Sequence, residues 1–156
     1  MATLELYLIR HGVAAERGEE YPDDSKRPLT SEGIARLRKE AKALEGLDVS
    51  FDQILSSPLV RARQTADVFA EELKGKPPIA NTDALTPAGS PGAVIQELGK
   101  HMRKARIALV GHEPNMGSLQ RSSSAPKCPC PSRRARSAGS IFRCSHPRAR
   151  ANSAGS

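Results

Sequence analysis

The chain has 156 residues, 38% of them hydrophobic, which is enough for one ordinary domain with a buried core. It contains only three cysteines and no apolar run as long as a membrane span, so we expect neither a disulfide-rich secreted protein nor a membrane protein, but a cytoplasmic one. The net charge of +7 is divided unevenly: residues 1–119 carry 16 basic and 17 acidic side chains, whereas residues 120–156 carry eight basic and no acidic ones.

The first predicted element is an apolar run over residues 6–9 that ends in Arg10-His11-Gly12. Such a run is typical of a buried strand, and open α/β sheets bind ligands at the carboxyl ends of their strands. An imidazole can act as a nucleophile, and an adjacent guanidinium can bind a tetrahedral oxyanion. The motif therefore indicates phosphate chemistry, although three residues alone are equally compatible with a histidine that merely closes a strand.

A polar loop over residues 13–26 precedes the first predicted helix. Thr30 is a suitable N-cap, and apolar residues then recur at steps of three and four as far as Gly46. The sequence predicts one amphipathic helix here, with its charged residues on a solvated face.

The next predicted pair is a strand over residues 51–56 and a helix that continues to residue 73. Ser57 is the expected N-cap, with Pro58 at the first helical position. Arg61 then lies in the first turn of the helix, near the carboxyl end of the strand. If the first two strands are parallel neighbours, Arg61 and His11 share one rim of the sheet.

The remaining elements repeat the pattern of a strand with polar residues at its end. Residues 75–92 are rich in proline and glycine and are predicted to be irregular, and residues 93–103 are predicted to form a short helix. The third apolar run, residues 107–110, stops at Gly111-His112-Glu113-Pro114. Three strands thus bring phosphate-binding residue types to the same edge, which favours the functional interpretation of the first motif.

Four motifs occur in the order and approximate spacing of the histidine phosphatase superfamily: Arg10-His11-Gly12, Arg27-Pro28-Leu29-Thr30, Ser57-Pro58-Leu59-x-Arg61, and Gly111-His112-Glu113-Pro114. The chain resembles in particular the short SixA-type phosphohistidine phosphatase branch, over residues 1 to about 119. The resemblance implies one α/β domain over residues 1–119, with a mainly parallel open sheet flanked by helices.

The resemblance also implies roles for individual residues. His11 would be the nucleophile that takes the phosphoryl group into a covalent intermediate, which water then hydrolyses. Arg10, Arg61 and His112 would surround the transferred group, with His112 most effective when protonated. Arg27 would join them from the loop before the first helix. Because this set supplies a nucleophile and cationic donors, neither a metal nor another cofactor is expected.

The expected substrate follows from a missing acid. Superfamily members that act on alcohol esters carry a carboxylic acid between the Arg61-type motif and the second histidine, but Asp67, Glu71, Glu72, Asp83 and Glu97 do not resemble that motif. Imidazole, with a conjugate-acid pKa of about 6.5, is a much better leaving group than an alkoxide. We therefore predict a phosphohistidine phosphatase acting on a protein such as a phosphotransfer domain, and a monomer.

Two alternatives to this function stay open at the level of sequence. One is a catalytically impaired protein that still binds phosphate or phosphohistidine. The other is a phosphomonoesterase of the same superfamily that acts on small molecules.

Residues 120–156 form a basic, low-complexity tail in which the helix and closing strands of the family are not recognisable. We therefore expect the sheet to lack part of its edge. A basic arm for nucleic acid is one interpretation, but Phe142 is its single aromatic residue. A metal site of Cys128, Cys130, Cys144 and His146 has unusually tight spacing. The abrupt loss of acidic residues favours the third interpretation, a shifted reading frame in GC-rich coding sequence.

Overall fold

The computed structural model describes residues 3–112 and, for the backbone alone, residues 141–147. Its strands are β1 (Thr3–Arg10), β2 (Gln53–Ser56), β3 (Ile79–Asn81), β4 (Arg106–Gly111) and β5 (Ile141–Pro147). Its helices are α1 (Ser31–Gly46), α2 (Val60–Glu72) and α3 (Pro91–Gly99), with short 3-10 helices at Asp24–Lys26 and Asp83–Leu85. None of the helices in this part of the chain has the length and apolar character needed to cross a membrane.

The strands form one sheet in the order β3-β2-β4-β1-β5. The first four are parallel to their neighbours, and β5 pairs antiparallel with β1. The predicted α/β class and mainly parallel sheet are therefore confirmed. The simplest arrangement considered, with β1 and β2 side by side, is wrong because β4 lies between them.

The tail contributes to the sheet, contrary to the expectation of an incomplete edge. β5 falls within residues 120–156 and pairs with β1 from Thr3↔Pro147 to Ile9↔Ile141. This edge of β1 is therefore covered by a strand. Cys128 and Cys130, which belong to the disfavoured metal-site interpretation, lie outside the described residues, as does the rest of the tail apart from the backbone of residues 141–147. The side chains of Cys144 and His146 are likewise not described.

Helix α1 follows its sequence signals closely. The side chain of Thr30 accepts a hydrogen bond from the backbone N–H of Gly33 at 3.0 Å, as a capping residue does. Leu37 and Ala41 are buried on the face that packs against the sheet and α2. The helix ends at Gly46, as predicted.

The other helices begin at different residues from those expected. The N–H of Ser57 bonds to the carbonyl of Val110 at 3.0 Å, so Ser57 continues the β2 ladder and α2 begins only after Leu59. Helix α3 begins earlier than predicted, because the Ser90 side chain caps it at Ala93 N–H. The proline-rich segment 75–92 also contains β3, a strand of only three residues.

The sheet separates two apolar cores because successive residues of a strand point to opposite faces. Tyr7 and Ile9 of β1 pack with the buried faces of α1 and α2. Leu4, Leu6 and Leu8 pack on the other face, with Val94 of α3. Helices on both faces leave the carboxyl rim of the parallel strands as the accessible edge.

Candidate active site

The strand register brings the two predicted histidines and a serine to one rim of the sheet. Arg10 pairs with Gly111, and Ser56 pairs with Val110. Main-chain bonds continue past the strand ends, from His11 N to Gly111 O at 3.1 Å and from Ser57 N to Val110 O at 3.0 Å. His11, Ser57 and His112 therefore emerge side by side.

A pocket of about 530 Å³ opens at this rim. All five residues singled out from the sequence line this pocket. Most of the other lining residues belong to the loop after β1. The full lining is Arg10, His11, Gly12, Val13, Ala14, Arg17, Asp24, Arg27, Arg61, Pro87 and His112. The structure thus brings the predicted site residues together around one cavity. An excess of guanidinium groups makes this cavity suited to an anion.

The ring of His11 is oriented by its own main chain. Its Nδ1 lies 2.8 Å from the carbonyl oxygen of Gly12. A carbonyl can only accept, so Nδ1 carries the proton and Nε2 of the neutral ring holds the lone pair. Burial lowers the pKa of His11 from 6.5, and the charges of Arg61 and Arg10 lower it further, against the opposing effect of the Gly12 hydrogen bond.

His112 faces His11, with 4.9 Å between the ring centroids. It is only 2% exposed, and its Nε2 lies 2.9 Å from the hydroxyl of Ser57. Burial, His11 and Arg61 together lower the pKa of His112 to about 3. A buried imidazolium here would face other cations, so these surroundings favour the neutral ring; that His112 is most effective when protonated beside a phosphoryl group stays a prediction.

Arg61 is held at the rim by the first turns of α2. It is only 4% exposed. One turn later, the Thr65 hydroxyl donates to the carbonyl of Arg61 at 2.7 Å and accepts from the N–H of Gly12 at 3.1 Å. Thr65 therefore links the Arg61 turn directly to the backbone beside His11.

Arg27 reaches the pocket from the loop after β1. Its Nη1 donates to the carbonyl of Ala15 at 2.7 Å. The neighbouring Leu29 N–H bonds to the Gln64 side chain at 2.7 Å, which attaches this segment to α2. Arg10, the last residue of β1, lines the same pocket from an exposed position.

Comparison with known proteins places this constellation in a family. The family model of the histidine phosphatase superfamily (branch 1) matches residues 6–86, more than half of the chain. The chain belongs to the histidine phosphatase superfamily. The match includes the segments that carry His11, Arg27 and Arg61.

The chain is also similar to two relatives and to two solved structures. An uncharacterized protein of Picosynechococcus is 42% identical over 73% of this chain and 69% of its own. Phosphohistidine phosphatase SixA of Escherichia coli is 31% identical over 74% of this chain and 71% of its own length. The structure of the protein histidine phosphatase SixA complexed with tungstate has a TM-score of 0.70 at 29% identity, over 80% and 81%. A putative SixA from Agrobacterium tumefaciens has a TM-score of 0.68 at 26% identity, over 75% and 74%.

Asp24, which the sequence did not single out, is the one carboxylate among the residues described as lining this superfamily pocket. Its Oδ1 accepts from Nε of Arg27 at 2.8 Å and from Nε of Arg17 at 3.0 Å, and its Oδ2 accepts from Nη2 of Arg61 at 3.0 Å. Partial burial raises the pKa of Asp24, but the charges of Arg61, Arg27 and Arg17 outweigh burial and hold it below its usual value. Asp24 is therefore ionised at neutral pH.

None of the five acids considered in the sequence lines the pocket, which has no lining carboxylate other than Asp24 within the described part of the chain. Asp67, for example, pairs with Arg63 on α2 at 3.2 Å. The only sequence signal for Asp24 was its position three residues before Arg27. The role of Ser57 beside His112 had no signal, because Ser57 was interpreted as a helix cap.

Proposed function

We propose that this chain is a phosphatase that hydrolyses phosphohistidine in proteins, with His11 as the nucleophile. The observation that carries the proposal is the fixed ring of His11, whose Nδ1–H is bound to the Gly12 carbonyl at 2.8 Å inside a pocket that four arginines line. This bond leaves Nε2 with the lone pair. A neutral imidazole among guanidinium groups is suited to attack a phosphoryl group.

The proposed reaction has two steps. First, Nε2 of His11 forms a bond to phosphorus as the P–N bond of the ring-protonated substrate phosphohistidine breaks, and the substrate histidine leaves as a neutral imidazole. Water then attacks the phosphorus of the covalent intermediate, the new P–N bond breaks, and inorganic phosphate leaves as His11 is restored. Each step is an in-line displacement in which positioning and positive charge provide the catalysis.

The surrounding donors fit the oxygens of a tetrahedral oxyanion. Nε of Arg61 and Nδ1 of His112 are both buried without a hydrogen-bond partner among the described residues. The Ser57 hydroxyl can donate to Nε2 of His112, so that Nδ1 carries a proton for the ligand. We assign phosphate binding to Arg10, Arg27, Arg61 and His112; that a similar SixA structure is complexed with tungstate, a tetrahedral oxyanion, supports oxyanion binding by this chain.

The choice of substrate depends on how the leaving group is stabilised. Asp24 is the pocket carboxylate, and its pKa is lowered by three arginines, so it is a poor proton donor at neutral pH. Imidazole leaves readily from a phosphoramidate that is protonated on the ring, whereas an alkoxide needs an acid. The similarity to E. coli phosphohistidine phosphatase SixA supports the same substrate class.

The partner we propose is a phosphohistidine-bearing protein, such as a phosphotransfer domain. Such a protein can present its phosphoryl group to the open rim of the sheet. We also propose that the chain works in the cytoplasm as a monomer without a metal or other cofactor, since His11 and the arginines supply the nucleophile and the charge.

Phosphate release from a phosphohistidine-bearing protein tests the proposal. We expect His11→Ala to lower the rate by at least about 10³-fold, because the nucleophile is removed. His101→Ala is the matched control, since His101 lies after α3 beside Glu97 and outside the pocket. It should retain the rate of the unmodified chain.

Other outcomes distinguish the alternatives. Hydrolysis that persists in His11→Ala would contradict the proposed nucleophile. Phosphate binding by the unmodified chain without turnover would indicate a binding protein. Rapid hydrolysis of a small alkyl phosphate with little release from phosphohistidine would indicate a small-molecule phosphomonoesterase.

A further inference from the structure

The carboxylate of Asp24 lies at the centre of an arginine cluster, defined here as Arg17, Arg27 and Arg61. Both carboxylate oxygens accept from these guanidinium groups at 2.8 to 3.0 Å. The main-chain carbonyl of Asp24 also accepts from Nη1 of Arg61 at 2.7 Å. An anion of the chain itself thus uses several of the donors that line the pocket.

We propose that Asp24 is an internal anion that the arginine cluster holds whenever no phosphoryl group is bound, and that a phosphoryl group binds by exchange with it. The inference rests on the proposed function, because it takes the pocket to be a phosphate site. A carboxylate and a phosphate offer oxygens of similar geometry to a guanidinium fork. The donors that hold Asp24 are therefore the donors that a phosphate would use.

The burial of Arg61 explains why an internal anion is needed. Arg61 is 4% exposed, and a buried charge without a partner is strongly destabilising. Asp24 neutralises it in the empty pocket, and a bound phosphoryl group does so in the occupied one. Arg61 therefore keeps an anionic partner throughout the cycle.

Two further hydrogen-bond donors in the pocket are available to an incoming anion. Nε of Arg61 and Nδ1 of His112 are buried and have no partner among the described residues, although Asp24 engages Nη1 and Nη2 of the same guanidinium. Once Asp24 moves aside, a phosphate can bind Nε and Nη2 of Arg61 together. The exchange begins with movement of Asp24, whose side chain is 38% exposed on the short 3-10 helix Asp24–Lys26.

The consequence is weaker product binding. Inorganic phosphate must compete with Asp24 for the arginine cluster, and its affinity is reduced by the free energy of displacing the carboxylate. Asp24 would then favour release of phosphate after hydrolysis of the intermediate.

The test is the affinity of the full-length chain for inorganic phosphate, measured by isothermal titration calorimetry at fixed ionic strength. Asp24→Asn keeps the shape of the side chain and removes its charge. We expect Kd for phosphate to fall about tenfold, as removal of one repelling charge at short range would produce. Asp24→Glu restores the charge and should bring Kd back toward that of the unmodified chain.

Asp23→Asn is the matched control, because it removes the same charge from the adjacent residue. Asp23 caps the 3-10 helix through Ser25 N–H and lies outside the pocket lining. Its substitution should change Kd by no more than about twofold in physiological salt.

The outcomes separate this inference from the proposed function. An unchanged or weaker phosphate affinity in Asp24→Asn, with phosphate bound by the unmodified chain, would overturn the exchange and leave the phosphatase proposal standing. That result would mean that Asp24 only orients the arginines. Absence of phosphate binding in both proteins would overturn both proposals.

Hydrogen exchange in the unmodified chain provides a second test that does not depend on a variant folding. Exchange between Asp24 and phosphate predicts faster amide exchange at residues 24–27 when phosphate replaces chloride at constant ionic strength. Unchanged or slower exchange at these amides would overturn the proposal.

Discussion

The two histidines of the pocket show how burial sets the charge of individual residues. His112 is hidden from solvent, and its pKa is lowered to about 3, while the pKa of His11 is also lowered from 6.5. Both rings are therefore neutral at neutral pH in the empty site. In this state the proposed nucleophile, His11, needs no separate base to remove a proton from Nε2.

A pH dependence of stability follows for His112. The folded state binds its proton at about 3 and the unfolded state at about 6.5, so the unfolded state binds more protons between these values. Stability from neutral His112 is complete above pH 6.5 and is lost as pH falls toward 3. Lowering the pH from 6.5 to 4.5 should reduce the free energy of unfolding of both proteins. We expect this reduction to be about 1 to 3 kcal/mol smaller in His112→Gln than in the unmodified chain.

Urea denaturation at both pH values measures this difference. His101→Gln is the control, because His101 is outside the pocket and pairs with Glu97. Equal losses in the unmodified chain and His112→Gln would contradict the lowered pKa of His112.

The sequence was sufficient to predict which residues line the pocket, but not their protonation states or their contacts. Arg10, His11, Arg27, Arg61 and His112 could be predicted because each belongs to a short motif with fixed spacing, and all of them line the pocket. The neutral state of His112 and the contacts of Asp24 depend on burial and on groups distant in sequence. Asp24, for instance, meets Arg61 across 37 positions.

At the scale of elements, the start of α1 is attached to the loop that carries the pocket. The carbonyl of Val13 accepts from Thr30 N–H at 2.9 Å. A Cβ on Gly33 would lie 2.4 Å from that carbonyl oxygen. Only glycine therefore allows the first turn of α1 to approach the loop so closely.

Gly33→Ala should destabilise the fold by about 1 to 3 kcal/mol, because the backbone clash outweighs the gain of about 1 kcal/mol in helix propensity. Thermal or urea unfolding checks this. Gly46→Ala is the matched control, since an added Cβ there meets no atom within 4 Å, and it should be neutral or slightly stabilising. A Gly33→Ala protein as stable as the unmodified chain would contradict the close approach.

Element boundaries were predictable where local chemistry decides them. Thr30 caps the start of α1, and the chain turns away just after Gly46, where Asp48 has a φ of 58°; both features are local. The predicted start of α2 was wrong, because the N–H of Ser57 bonds to the carbonyl of Val110, a partner that no local sequence pattern reveals. The strand β3 was missed because it has only three residues and none is fully buried.

For the whole molecule, pocket occupancy and stability are coupled. Phosphate that binds the folded chain and not the unfolded one stabilises it by about 2.7 kcal/mol at a concentration of 100 times Kd. We expect Tm to rise by about 5 to 10 °C for a chain of 156 residues. Differential scanning calorimetry with phosphate, against chloride at equal ionic strength, measures the shift.

Arg61→Gln serves as the control for this shift, because it removes a buried guanidinium from the pocket. Its Tm should respond to phosphate much less than that of the unmodified chain. An equal response in both proteins would mean that phosphate stabilises the chain at another place.

The fold class could be predicted from the sequence, but the order of the strands in the sheet could not. Apolar runs that alternate with amphipathic helices indicated a parallel sheet. The position of β4 between β1 and β2 is a long-range choice. The pairing of β5 with β1 was likewise hidden in a tail of unbalanced positive charge.

The covalent intermediate on His11 is the central claim, and rapid-quench labelling tests it most directly. The chain is mixed with a protein carrying ³²P-phosphohistidine and quenched at alkaline pH, where a phosphoramidate is not protonated and survives. We expect transient label on the peptide containing His11 in the unmodified chain and in His101→Ala, and no label in His11→Ala. Phosphate release by the unmodified chain without any label on His11 would contradict it.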